Sequence, residues 1–192
     1  MNLPNKLTVL RILMIPVFIV LAVAPLDWGD LIIGGTALPI TQLVAAIIFA
    51  VASITDWLDG KIARKHNLVT NFGKFADPLA DKMLVMTAFI VLVEQGKAAA
   101  WIVAIIVCRE LAVTGLRLLL VEGGEVMAAA WPGKVKTATQ MVAIILLLIN
   151  NIPFAGINFP LDQIMLYLCL IFTIYSGVEK KKKNKEVFKG SM

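Results

Sequence analysis

Charge is scarce in this chain. Asp, Glu, Lys and Arg make up 16% of the 192 residues, against 59% hydrophobic, and the mean hydropathy is +0.86. A soluble domain of this size could not hide so much apolar surface, so an integral membrane protein is the expectation. Cysteine is almost missing: Cys108 and Cys169 both lie in apolar runs without framework spacing, which excludes a disulfide scaffold and leaves two reduced packing thiols. His66 is the sole histidine and reads as a solvated loop residue. The sequence has no repeat at a fixed period and no low-complexity segment apart from the tail "KKKKNK". Nor does a convincing small-residue cleavage site follow the basic-then-apolar start "MNLPNKLTVLRILMIPVFIVLAVA", so a retained first helix is expected. The net charge of +5 would suggest nucleic acid in a soluble protein. Much of it sits in the lysine tail, which reads as a cytoplasmic anchor facing anionic lipid; no nucleic-acid partner is expected.

What the sequence does have is long apolar stretches. A membrane span needs about 20 mostly apolar residues. Six stretches qualify, at 7–25, 37–58, 75–94, 98–121, 134–151 and 160–178. Turn signals punctuate them: "PLDWGD" with "GG", "EQGK", "EGGEV" with "WPGK", and "NNIPFAG". The expected fold is therefore all-α, with six transmembrane helices forming a single domain over 1–192 and a short basic tail at 179–192. Orientation follows from lysine and arginine. Lys6 and Arg11 lie at the start, and Lys61, Arg64, Lys65, Lys74 and Lys82 flank the second connection. Lys134 and Lys136 follow the fourth connection, whereas 26–36 and 152–159 carry no lysine or arginine. This pattern puts both termini and the second connection in the cytoplasm.

Against that background the stretch "DWLDGKIARKHNLVTNFGKFADPLADK" is unusual, because it gathers four aspartates. Asp56 and Asp59 are three apart, Asp77 and Asp81 four apart, and in helices both spacings put a pair on one face. A short loop joins the two helix ends, so the four carboxylates should converge. Such a cluster needs positive partners. Oxygen-rich sites favour divalent cations, and Mg²⁺ is typically held by a few carboxylates plus substrate phosphate. Small residues at Gly60, Ala63 and Gly73 permit close approach to the backbone, and Arg64 offers a planar fork for phosphate. Together they point to a pyrophosphate-containing nucleotide, without saying which one. Taken singly, each aspartate would read as a solvated helix cap.

The arrangement Asp56-x-x-Asp59-Gly60-x-x-Ala63-Arg64, then eight residues, then Gly73-x-x-x-Asp77-x-x-x-Asp81 resembles the signature of the CDP-alcohol phosphotransferase family, with every signature position occupied. The resemblance implies a six-helix membrane enzyme, usually a homodimer, that displaces CMP from a CDP-linked lipid or alcohol with two divalent ions, Mg²⁺ or Mn²⁺. By position, Asp56 and Asp77 would bridge both ions, Asp59 would complete one site, and Asp81 would ligate the second and act as general base. Gly60 and Arg64 would face the CDP moiety, with Ala63 and Gly73 beside it. Thr70 matches a nucleotide-contacting position, or is an ordinary loop hydroxyl. In "LPNKLTVLR", Asn5 and Thr8 match CDP contacts, with Asn5 as an N-cap after Pro4 the bland alternative.

The fourth stretch carries "CRELAVTGLR". Charge within a span is rare and usually functional. On a helix Arg109, Glu110 and Arg117 fall within about 100° of arc, so they can face one cavity; Glu110 either belongs to that cavity or simply neutralises an arginine. "GKVKT" sets Lys134 and Lys136 at a helix start, where backbone N–H groups favour an anion. Arg109, Arg117, Lys134 and Lys136 resemble the acceptor-phosphate region of family members that use a phosphorylated acceptor, with Lys136 turned away from Lys134. The resemblance implies CDP-diacylglycerol as donor, glycerol 3-phosphate as acceptor, and a bacterial plasma membrane with the site facing the cytoplasm. Other acceptors (inositol phosphate, serine, phosphatidylglycerol) and, from a different class, an ion transporter are the rival readings.

Overall fold

The structure, a computed structural model, describes residues 3–66, 71–122, 131–157 and 159–183. Side chains are described over 7–55, 79–80, 82–116, 131–152, 154–157, 159–180 and at 182. Six long helices dominate the described residues: α1 (Leu3–Val23), α2 (Ile40–His66), α3 (Asn71–Glu94), α4 (Ala100–Glu122), α5 (Trp131–Leu148) and α7 (Leu161–Lys183). A single turn, α6 (Ile152–Ala155), lies between the last two.

The helices overrun the apolar stretches that foretold them. Backbone hydrogen bonding does not depend on hydropathy, so α2 continues past 58 to His66 and α3 begins at Asn71 instead of 75. The consequence is functional. Asp56, Asp59, Gly60, Ala63 and Arg64 share one continuous helix, and Gly73, Asp77 and Asp81 share the next.

An all-α fold is corrected in the first connection. Strands β1 (Asp30–Ile33) and β2 (Thr36–Pro39) form an antiparallel hairpin with Ile33 paired to Thr36 and Asp30 to Pro39. The two-residue turn between them needs positive φ at both positions, and Gly34 and Gly35 supply it with φ 59° and 82°. The expected connection at 26–36 thus contains a strand, and the first residues expected of the second span, 37–39, are strand as well. Pairing of 36–39 also delays the second helix to Ile40. Asn150 donates to the Ala37 carbonyl (3.1 Å), tying the hairpin to the connection after α5. Asn150 and Asn151, both at φ 53°, end α5 in the left-handed region that asparagine tolerates.

The core lies where the helices meet. Helix α1 packs on α2 and α3, α5 packs on α7 and α2, α4 packs on α7, and α3 touches α4 and α5. Phe18, Phe49 and Phe89 are fully buried, with Phe18 and Phe49 tilted at 6.2 Å between ring centres. Ala45, Ala46, Ala52 and Ala88, all buried, let helices approach closely. Large apolar side chains also face outward on nearly every helix, among them Leu13, Ile54, Ile90, Leu111 and Ile171. Among the described residues, Leu161–Lys180 is long and apolar enough to cross a membrane, and Leu7–Val23 and Ile40–Thr55 are shorter apolar helices.

Candidate active site

A buried ion cluster occupies the junction of four helices. Glu110, in the middle of α4, accepts from Arg109 Nη1 (2.7 Å) and Lys136 Nζ (2.6 Å) at Oε1, and from Lys82 Nζ (2.9 Å) at Oε2. Lys82 comes from α3 and Lys136 from the second turn of α5. From α7, Ser176 Oγ accepts a further bond from Arg109 Nη2 (2.7 Å). The side chains of Lys136, Glu110 and Arg109 are 7%, 10% and 12% exposed, and Lys82 is 18% exposed. That degree of burial decides how the cluster is read. Surface ion pairs are worth little, but buried charges must be compensated. Here one carboxylate faces three cations, which leaves two positive charges in excess among the described residues. A tetrahedral dianion would match that excess.

This arrangement gathers part of the expected acceptor set and rearranges it. Arg109 and Lys136 are in the cluster. Lys134 is exposed at the start of α5, so the two lysines do face different ways, and it is Lys136 that points inward. Arg117 lies further along α4 with its side chain outside the described residues. Glu110 neutralises Arg109, as one of its two expected readings has it, and it also pairs with Lys82 and Lys136. Lys82 and Ser176 were missed. Lys82 carried only a topological signal beside Asp81, and Ser176 is one hydroxyl in an apolar run, with no spacing to mark it.

The aspartates and most of the positions expected to face CDP are described by backbone alone. The side chains of Asp56, Asp59, Gly60, Ala63 and Arg64 on α2, and of Gly73, Asp77 and Asp81 on α3, lie outside the described residues, as does that of Asn5 on α1. Thr70 lies outside them altogether. Thr8 is buried on α1, the helix that packs against both α2 and α3, and Arg11 is buried one turn further on. Positions 56 and 59, and positions 77 and 81, are each about one turn apart on an unbroken helix, and four positions separate α2 from α3. Four carboxylates so placed are the hard oxygen donors that Mg²⁺ or Mn²⁺ takes.

A second polar group sits at the opposite end of the bundle. Gln42 donates to Gln95 (2.6 Å), Gln95 donates to the Ala22 carbonyl (2.9 Å), and Gln163 donates to the Lys97 carbonyl (3.0 Å). Burial pushes the Lys97 ammonium down to about 8, with Asp162 working against the shift.

The family model for CDP-alcohol phosphatidyltransferases matches residues 1–175. The chain belongs to that family. Among curated family members, the CDP-diacylglycerol–glycerol-3-phosphate 3-phosphatidyltransferase of Bacillus subtilis (strain 168) is 52% identical over 190 residues, covering 99% of this chain and 98% of the relative. The corresponding enzyme of Escherichia coli (strain K12) is 36% identical, with 93% and 92% covered. A probable phosphatidylglycerophosphate synthase of Mycobacterium tuberculosis (strain H37Rv) is 39% identical, with 93% and 79% covered.

Proposed function

We propose that the chain transfers the phosphatidyl group of CDP-diacylglycerol to sn-glycerol 3-phosphate, releasing CMP and phosphatidylglycerophosphate. The relatives' names support the reaction. The observation that carries the acceptor is the excess of buried cations around Glu110, since serine or another uncharged alcohol would leave that charge uncompensated.

The proposed chemistry uses the chain's own groups at three places. Asn5, Thr8, Thr70 and Arg64 bind the CDP moiety, and Gly60, Ala63 and Gly73 let it lie close to the helix backbones. Asp56, Asp59, Asp77 and Asp81 hold two divalent cations, which would neutralise the diphosphate and stabilise charge on departing CMP. The cluster of Lys82, Arg109 and Lys136, together with Arg117 and Lys134, holds the acceptor's phosphate and so aims its free hydroxyl. That hydroxyl oxygen bonds to the lipid-linked phosphorus as the bond from phosphorus to the CMP oxygen breaks, in line and on the opposite side. The hydroxyl proton goes to the Asp81 carboxylate, and CMP leaves with the electron pair.

The setting is a bacterial plasma membrane crossed six times, with both termini and the site on the cytoplasmic side and the whole chain acting as one domain within a homodimer. The outward apolar residues on α1, α2, α3, α4 and α7 support a lipid environment. Charge placement supports the orientation.

Purified protein supplied with CDP-diacylglycerol should release CMP when glycerol 3-phosphate is added. Chelation should stop the release, and Mg²⁺ or Mn²⁺ should restore it. Preference for serine, or full turnover in excess chelator, would overturn this reading.

A further inference from the structure

Arg109 is held in place from a helix other than its own. Ser176 Oγ donates to the Phe172 carbonyl one turn back (2.7 Å), which fixes the hydroxyl rotor and turns its lone pairs outward. Arg109 Nη2 donates into that site at 2.7 Å. The next residue, Gly177, has no side chain where the arginine stem lies. A Cβ there would meet Arg109 Cγ at 3.2 Å and Nε at 3.4 Å. Ser176 is 1% exposed, so water does not compete for the bond. Arg109 Nε, meanwhile, is buried without a hydrogen-bond partner among the described residues. A guanidinium free to choose would not leave a buried donor unused. Its pose is therefore imposed by Glu110 on one side and by α7 on the other.

We infer that Ser176 and Gly177 are positioning residues for the acceptor. Ser176 orients the guanidinium by accepting from Nη2, and Gly177 provides the socket in which the stem lies. Arg109 has five N–H donors in a rigid fork. One at Nη1 goes to Glu110 and one at Nη2 to Ser176, so among the described residues the second N–H of each Nη is left to face a phosphate. Specificity for a phosphorylated acceptor then depends on α7 as well as on the charged helices. This inference rests on the acceptor reading of the cluster proposed above.

The test is steady-state kinetics on the purified full chain, varying each substrate in turn. Ser176→Ala should raise the KM for glycerol 3-phosphate about tenfold or more, the scale of one lost bond to a charged group. The KM for CDP-diacylglycerol and kcat should hold, and Gly177→Ala should move the same parameter the same way. In an Arg109→Lys background, which keeps the charge but loses the fork, Ser176→Ala should add no further effect. An equal effect in both backgrounds would overturn the inference, as would a fall in thermal stability with both KM values unchanged. Failure of the acceptor reading itself looks different: Arg109→Lys and Arg109→Ala alone would then leave the glycerol 3-phosphate KM at its wild-type value.

Discussion

At one end of the bundle Gln42 donates to Gln95, Gln95 to the Ala22 carbonyl, and Gln163 to the Lys97 carbonyl. Deeper in, on the other side of the apolar core, Lys82, Arg109 and Lys136 surround Glu110. Both groups join helices distant in sequence, and both are shielded from solvent. They differ in balance. The glutamine group is neutral, and each contact satisfies a donor and an acceptor, which is all that a structural tie requires. The glutamate group has, among the described residues, three cations to one carboxylate. A buried surplus of that kind is what a site for a ligand of opposite sign would need.

The comparison suggests which substitutions should cost activity and which only stability. The largest effect should fall outside both groups. Asp56→Asn is expected to reduce turnover to background while the melting temperature stays near wild type, measured by CMP release and thermal unfolding in detergent. Asp81→Asn should also stop turnover but keep much of the CDP-lipid affinity. If binding collapses with rate, Asp81 is chiefly a cation ligand and not the base. Next comes Glu110→Gln, which strands three cations. It should destabilise the fold by about 3 kcal/mol or more and weaken glycerol 3-phosphate binding together, whereas a purely structural glutamate would lower stability alone.

The glutamine end should behave otherwise. Gln95→Met leaves Gln42 Nε2 and the Ala22 carbonyl unpaired. It should lower stability by about 1–3 kcal/mol with kcat/KM of the folded enzyme unchanged. The smallest effect belongs to Lys97, whose buried Nζ has no hydrogen-bond partner among the described residues. Its ammonium is held near 8 in the fold against an ordinary 10.5. The folded state therefore carries a charge penalty that is complete below about pH 8 and fades as pH rises toward 10.5. Lys97→Met should raise the melting temperature at pH 7, and the gain should shrink by pH 10. A gain independent of pH would mean that burial of the charge is not its cause.

Much of this was legible in the sequence, and the gaps have physical causes. Hydropathy located all six long helices, because an apolar stretch of about 20 residues has few other uses. It misjudged their ends, as the helical extensions through Arg64 to His66 and back to Asn71 are polar. The hairpin was written in "DLIIGGTALP", yet "GG" alone says turn, and the strand pairing depends on short apolar runs that read equally well as helix flank. The charged face of α4 was legible from Arg109 and Glu110, since charge is conspicuous in oil. Lys136 was the inward lysine although the helix start favoured Lys134 equally; only the packing of α5 on α7 decides between them. Ser176 and Gly177 could not be found by pattern, because their role exists only where α7 meets the Arg109 side chain.

The most direct test of the account is acceptor discrimination by the cation cluster. It compares kcat/KM for glycerol 3-phosphate with that for glycerol, in the wild type and in Lys136→Met, which keeps the stem and removes the charge. Two or three charge-assisted bonds of about 1.5–3 kcal/mol each should give the wild type a preference of at least about a hundredfold. The account predicts that Lys136→Met cuts this ratio by about tenfold or more, mainly through the KM for glycerol 3-phosphate. An unchanged ratio in a folded, active Lys136→Met enzyme would show that the buried cations do not hold the acceptor's phosphate.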